Sequence, residues 1–314
     1  MPDTRELSAT KRALLEKYLR GEIQQPARTA TPLPSSNTFE TAQRYEGVTA
    51  IQTRGTKRPF FFLHGDWTGN AFFCFSLAQG LGDDQPFYAL DPYRLDHLRV
   101  LPSLEEMATE HLKVIRSIQP EGPYLLGGFC NGGLTAYEMA RQLDAIGQKV
   151  DLLVLMDSIP TRLTSICTFI QSSGRLLGLT TDRQLDWFLR LQHLYRYWQN
   201  REAEEFTFLR QFDPKIASFL PPLSILHKAY PAMFIWATAH YTPGFYPGKV
   251  TLFWDSAEPE RSGWWQRMAQ GKDQEVEIHL IPGSHKTCKT DHISGMAAQL
   301  SACLNKVQSS LVSR

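Results

Sequence analysis

The sequence predicts an α/β protein: a mostly parallel sheet with flanking helices and a helical lid inserted late in the chain. Three observations predict it. Short apolar runs of strand length alternate with amphipathic helical stretches between residues 48 and 156, the pattern of parallel strands joined by crossover helices. The alternation stops over residues 160–245, where helical segments dense in Trp and Tyr replace strands, and it resumes at residue 249. A length of 314 residues with 42% hydrophobic content supplies core for one large domain carrying such an insertion.

Taken in order, residues 1–24 read as a leader helix, with Ser8 as N-cap and Leu14, Leu15, Tyr18 and Leu19 as its apolar stripe. Residues 25–44, rich in Pro, Thr and Ser towards their start, read as a flexible linker. The main domain is expected over 45–314, with its lid at about 160–245. Residues 48–53 form an early strand. Residues 59–63 (Pro-Phe-Phe-Phe-Leu) form a wholly apolar one, as a strand buried on both faces requires, running into His64-Gly65-Asp66. Residues 87–90 are a strand and 103–118 a helix, with Ser103 as N-cap and Glu106 three residues on. A strand over 123–129, a helix over 132–146 and a strand over 150–156 ending at Asp157 follow. After the lid come a strand over 249–254, a helix around 261–269, a strand over 276–281 and a last helix over 291–304.

Composition excludes several function classes. The net charge of +1 and the absence of a basic block argue against capture of nucleic acid or of an anionic membrane. No apolar run reaches the roughly 20 residues that span a bilayer, and the charged first 22 residues hold no signal-peptide core, so a cytoplasmic address is expected. Five scattered cysteines without a C-x-x-C pair suggest neither a disulfide framework nor a metal site.

The strongest local signal is Gly127-Gly128-Phe129-Cys130-Asn131-Gly132-Gly133. It contains G-x-C-x-G between an apolar strand and a helical pattern, the nucleophile-elbow arrangement of α/β-hydrolases with cysteine in the serine position. The nucleophile there sits on a tight, strained strand-to-helix turn. Flanking glycines are needed because a β-carbon would collide with the neighbouring strand or helix. The turn lifts the sulfur above the sheet and sets it at a helix N-terminus, where backbone N–H groups favour negative charge. The competing reading, a glycine-rich turn around a buried structural cysteine, is weakened by the flanking elements and by the partners available.

A thiol nucleophile needs a base, and the base an orienting group. In an α/β-hydrolase the His comes last in the chain. His285, in Pro282-Gly283-Ser284-His285 after the final strand, fits better than His292, which falls at the start of the last helix. His97, His111, His193, His227 and His279 read as surface or packing residues, and His64 as shaping the loop after its strand. Asp157 and Asp255 both end strands at the edge where catalytic groups of open α/β sheets gather, and local physics does not choose between them. An oxyanion hole needs two backbone donors, each worth about 3 kcal/mol in the transition state. These are expected from the N–H of Asn131 and, in the loop after His64, the N–H of Asp66.

The ordered set of residues 61–65, 127–133, 153–157, 248–253 and 281–285 resembles the thioesterase domains of nonribosomal peptide and polyketide synthases, over residues 45–306. The leader resembles the short helix that follows carrier domains or opens modules in those assembly lines. The resemblance implies the acid at the matching position Asp157, with Asp255 as the alternative. It further implies no cofactor of the domain's own, and an acyl substrate carried on the phosphopantetheine arm of an acyl or peptidyl carrier domain. Two features depart from the family pattern. Cys130 replaces the usual Ser, and the loop after His64 reads Gly-Asp-Trp rather than Pro-Ala-Gly-Gly.

With Cys130 the acyl-enzyme is a thioester, so acyl transfer onto the enzyme is near thermoneutral and the second step keeps its driving force. Release by an amine or by ring closure is therefore an expectation alongside hydrolysis. The lid aromatics Phe169, Trp187, Phe188, Tyr195, Tyr197, Trp198, Phe206 and Phe208 are candidates to line an apolar acyl pocket or to pack the lid. The alternatives are a small-molecule hydrolase of dienelactone type, against which the lid and leader argue, and a non-catalytic hydrolase-fold interaction protein.

Overall fold

The computed structural model describes residues 47–65, 71–95, 98, 100–158, 164–199, 219–255, 265, 275–285 and 287–309. The expected leader and linker, and the expected helix around 261–269 apart from Trp265, lie outside the described residues. The elements are, in order, β1 (Val48–Gln52), β2 (Phe60–Leu63), α1 (Phe72–Leu81), β3 (Phe87–Leu90), α2 (Leu104–Ile118), β4 (Tyr124–Phe129), α3 (Asn131–Ala145) and β5 (Val150–Met156). They continue with α4 (Thr164–Leu176), α5 (Thr181–Gln199), α6 (Leu223–Leu226), α7 (Tyr230–Ala237), β6 (Val250–Asp255), β7 (Val276–Ile281), a 3₁₀ turn (Thr287–Lys289) and α8 (Ile293–Ser309).

The described strands form one seven-stranded sheet in the order β1-β3-β2-β4-β5-β6-β7. Only β1 runs antiparallel, against β3; the other pairings are parallel. Successive strand residues point to opposite faces, and each face has its own apolar layer. Phe61, Leu63, Leu126, Leu153, Leu155 and Leu252 meet α2, α3 and the helices that follow β5. Phe60, Phe62, Leu125, Val154, Met156 and Phe253 meet α1 and α8. Phe60, Phe61 and Phe62 are all fully buried, because β2 is an inner strand covered on both sides.

Local chemistry accounts for the helix that carries the sheet's first face. Ser103 accepts a hydrogen bond from the Glu106 N–H, and Glu106 accepts one from the Ser103 N–H, a complete capping box that starts α2. Its apolar stripe, Leu104, Met107, Ala108, Leu112 and Ile115, faces inward. Helix α1 was not expected: Ala71 is its N-cap, no side chain caps it, and no charged residue marks its ends. Between β5 and β6 the described residues hold four helices and no strand. Parallel pairing aligns the carboxyl ends of β4, β5, β6 and β7 along one edge of the sheet, and the candidate site forms there.

Candidate active site

Cys130 follows β4 directly and is the N-cap of α3. Its backbone lies at φ 53° and ψ −123°, a conformation that L-residues adopt only where the surroundings impose it. The surroundings are tight packing on both sides of the turn. A β-carbon on Gly128 would come within 2.4 Å of the Gly132 carbonyl, and one on Gly132 within 2.2 Å of the Leu63 carbonyl oxygen. Only glycine permits β4, the first turn of α3 and the end of β2 to approach so closely. The Cys130 N–H donates to the Met156 carbonyl at 2.9 Å, tying the turn to the end of β5. The sulfur is half-buried, and its thiol reaches the Asn131 Oδ1 at 3.8 Å.

Asn131 is the first residue of α3, so its N–H has no acceptor one turn back within the helix and stays free to point at the space beside the sulfur. The other expected backbone donor, Asp66, lies outside the described residues. The base of its loop is described. His64 is fully buried at the end of β2, and its Nε2 faces Asp91 Oδ1 at 3.3 Å, linking the ends of β2 and β3.

His285 lies in the loop between β7 and the 3₁₀ turn. That loop is held by the Ser284 N–H donating to Thr287 Oγ1 at 2.8 Å and the Cys288 N–H donating to the Ser284 carbonyl at 2.9 Å. The Nδ1 of His285 is hydrogen-bonded to Asp157 Oδ2. Burial alone would push the imidazole pKa down. Hydrogen bonds to Asp157 and Cys130, and the negative charge of both, outweigh it and raise the pKa to about 9. His285 thus stands between the thiol and the carboxylate, and its ring stacks on Phe129, with centroids 4.8 Å apart. His292, the other candidate base, lies against Gly283 in the same loop.

Asp157 follows β5 at φ 41° and is 2% exposed. Its N–H donates to the Phe253 carbonyl at 2.8 Å, so β5 and β6 together present its carboxylate. Behind it, the indole N–H of Trp265 donates to the Ser158 carbonyl at 2.5 Å. Asp255 ends β6 opposite Ile281 in the sheet, and its side chain lies outside the described residues. The structure therefore brings Cys130, His285 and Asp157 together from three separate strand ends. This arrangement can pass a proton from thiol to imidazole while the carboxylate holds the ring in orientation.

A narrow pocket with a cavity volume of about 10 Å³, room for about one water, adjoins the turn. Asn131, Gly132 and Thr135 of α3 line it, with Met107 and His111 of α2 and Tyr230 and Phe234 of α7. None of the described aromatics that were candidates to line an acyl pocket or pack the lid lines this one. Phe188 is buried against Trp236, with ring centroids 5.1 Å apart, whereas Phe169, Trp187, Tyr195 and Trp198 are exposed. Phe206 and Phe208 lie outside the described residues. Sequence reasoning also missed Phe129 as the support of the base. The only available signal was its place inside the elbow motif.

Comparison with known proteins gives the family and the fold. The family described as "Thioesterase domain" matches residues 68–304. Atromentin synthetase from Tapinella panuoides is 24% identical over 280 residues, covering 82% of this chain and 28% of that protein. A dimodular nonribosomal peptide synthase from Bacillus subtilis (strain 168) is 36% identical over 118 residues, covering 37% of this chain and 5% of that protein. The chain thus spans less than a third of the length of these curated relatives. Among solved structures, the NocB thioesterase domain in covalent complex with a fluorophosphonate nocardicin G analog superimposes with a TM-score of 0.53 at 23% identity. The match covers 82% of this chain and 99% of that one. The four-domain nonribosomal peptide synthetase AB3403 superimposes with a TM-score of 0.56 at 24% identity, covering 82% of this chain and 20% of that one. Both share the fold of a mostly parallel sheet with flanking helices. The chain belongs to the thioesterase domain family and is a hydrolase acting on thioesters.

Proposed function

We propose that this domain releases an acyl, peptidyl or polyketide chain from a phosphopantetheine carrier through an acyl-enzyme on Cys130. The observation that carries the reading is the His285 imidazole held by Asp157, with its pKa raised by both Asp157 and Cys130, at a strained turn where a helix begins. Family membership supports the substrate class, and the relatives named above as synthases and synthetases support a carrier domain as partner. The leader at 1–24, the linker at 25–44 and a lid at about 160–245 remain part of this reading, as does a cytoplasmic setting. No helix among the described residues is long and apolar enough to cross a membrane.

In the first step the Cys130 sulfur, its proton held on His285, attacks the carrier thioester carbonyl. The oxyanion faces the N–H of Asn131 and, on this reading, that of Asp66. The tetrahedral intermediate collapses, the carrier thiolate leaves with the proton from His285, and the acyl group stays on Cys130. Acylation removes the thiol's hydrogen bond and charge from beside His285. The imidazole is then less basic than in the free enzyme, which favours its action as a general base in the second step. It next takes a proton from water, or from an amine or hydroxyl acceptor, whose attack expels Cys130; the thiol recovers its proton from His285.

Replacing an oxoester by a thioester acyl-enzyme preserves driving force for this second step, which suits transfer or cyclisation as well as hydrolysis. Turnover of carrier-loaded acyl groups, followed by mass spectrometry, tests the reading. Release of free holo-carrier together with an acid, amide or ring product is expected from the native protein. An unchanged loaded carrier across a panel of acyl groups would contradict the reading, and free acid as sole product removes the transfer arm.

A further inference from the structure

The scheme above uses the backbone N–H of Asn131 and leaves its side chain idle. Cys130 is the N-cap of α3, yet no backbone N–H of that helix hydrogen-bonds to its sulfur. The thiol instead donates to Asn131 Oδ1 at 3.8 Å. The sulfur also lies close enough to His285 to raise the imidazole's pKa. Two acceptors therefore face one thiol hydrogen, the imidazole on one side and the amide oxygen on the other. Asn131 is half-buried, and its backbone is fixed in the first turn of α3, where the Thr135 hydroxyl donates to its carbonyl at 3.4 Å. Its Nδ2 makes no hydrogen bond to a described residue, so only the thiol orients the amide. A side-chain amide carries one acceptor and two donors, and rotation about its last bond exchanges them at little cost.

We propose that the Asn131 side chain is a positioning residue for the nucleophile: its amide oxygen accepts the hydrogen of the Cys130 thiol, and its amide N–H, brought round by rotation, donates to the sulfur once the proton is on His285. The inference rests on the reading of Cys130 as the nucleophile. One proton moves, from Sγ to the imidazole, and the amide changes orientation with it. A hydrogen bond to a charged group is about twice as strong as one between neutral groups. The amide therefore favours the thiolate with its imidazolium over the neutral pair, while holding the sulfur in place in both states. Acylation leaves a neutral thioester sulfur, a weak acceptor, and this hold is released. It returns as Cys130 leaves in the second step, so the same amide stabilises the nucleophile and the leaving group.

The test is alkylation of the full chain by iodoacetamide as a function of pH, with the modified residue located by peptide mass mapping. Cys130 is half-buried and the other four cysteines are buried, so the profile of Cys130 can be followed by itself. Every variant keeps the backbone N–H of residue 131. Asn131→Leu removes the amide at similar size. It is expected to move the midpoint of the profile up by about 0.5–1 pH unit and to slow acyl-enzyme formation at pH 7 by about 3- to 10-fold, with KM changed far less. Asn131→Asp supplies acceptors without a donor and sets a negative charge beside the sulfur, so its midpoint should rise further than that of Asn131→Leu. Asn131→Gln carries the same amide on a longer chain and is expected to recover part of the native profile. A midpoint unmoved in both Asn131→Leu and Asn131→Asp, or lowered in Asn131→Leu, overturns the proposal; acyl-enzyme still forming on Cys130 in the native protein then leaves the thioesterase reading standing. Equal losses in Asn131→Leu and Asn131→Gln together with a fall in Tm would make the residue structural and also overturn it. No acyl-enzyme on Cys130 from any carrier-loaded thioester defeats both.

Discussion

The Phe129 ring lies over the His285 imidazole, with centroids 4.8 Å apart and planes 27° apart. Phe129 is also the residue before Cys130, so the strand end that carries the proposed nucleophile supports the proposed base. Its ring also meets the Phe73 ring of α1 and the Lys289 ammonium, 5.5 Å from the Phe129 centroid. Two groups of the candidate site, from distant parts of the chain, are thereby referenced to one strand end.

Phe129→Leu keeps an apolar side chain at this position and removes the stacked face. The expected result is a drop in the rate of acyl-enzyme formation of about 10- to 100-fold, the cost of a base displaced by a fraction of an ångström to an ångström. Single-turnover kinetics with a fixed thioester measure it, and KM should move far less than kcat.

Asp157→Asn preserves shape and removes the charge that orients and stabilises His285. By analogy with hydrolytic triads, turnover should fall by about 10³- to 10⁴-fold while the fold is retained. Circular dichroism and steady-state kinetics on the same preparation separate the two effects. The His285 pKa should fall as well, since the Asp157 hydrogen bond raises it against the opposing effect of burial.

The pH dependence has a defined sign. His285 has an ordinary pKa of 6.5 and is raised to about 9 in the folded protein. A raised histidine pKa stabilises the fold fully below 6.5, and that contribution is lost as pH rises through about 9. Thermal melts of the native protein and of His285→Gln between pH 6 and pH 10 should therefore converge towards the alkaline end. The Cys130→Ala variant removes one source of the upward shift, so NMR titration of the His285 ring should give a lower pKa in that variant.

The elbow makes a steric prediction. Gly132→Ala places a methyl group within 2.2 Å of the Leu63 carbonyl oxygen, a backbone atom with no room to move. Overpacking of this kind costs about 1–3 kcal/mol or more, and denaturant melts should show it together with loss of turnover.

Some of this was legible before any coordinates, for reasons that can be named. The elbow could be read because a strained turn between a strand and a helix demands glycine at fixed offsets, and Gly128 and Gly132 stand at those offsets. The helix at 103–118 could be read because a capping box is a local device, complete within Ser103 and Glu106. Helix α1 could not: Phe72–Leu81 is apolar nearly all round and begins without a capping side chain, so neither period nor cap marks it. His111 falls on the same face of α2 as Met107 and Leu112, which is why it reads as a packing residue. The stacking of Phe129 on His285 is a contact between distant segments that no local pattern encodes. The choice between Asp157 and Asp255 rested on family resemblance, and the contact of Asp157 with His285 is a matter of how β5 and β6 align.

The most direct test of the central claim is to quench the protein during turnover of a carrier-bound thioester and locate the acyl group by peptide mass mapping. The account expects the acyl mass on the peptide containing Cys130, with no adduct and no turnover in Cys130→Ala. An acyl group mapped to another residue, or undiminished release by Cys130→Ala, would contradict it.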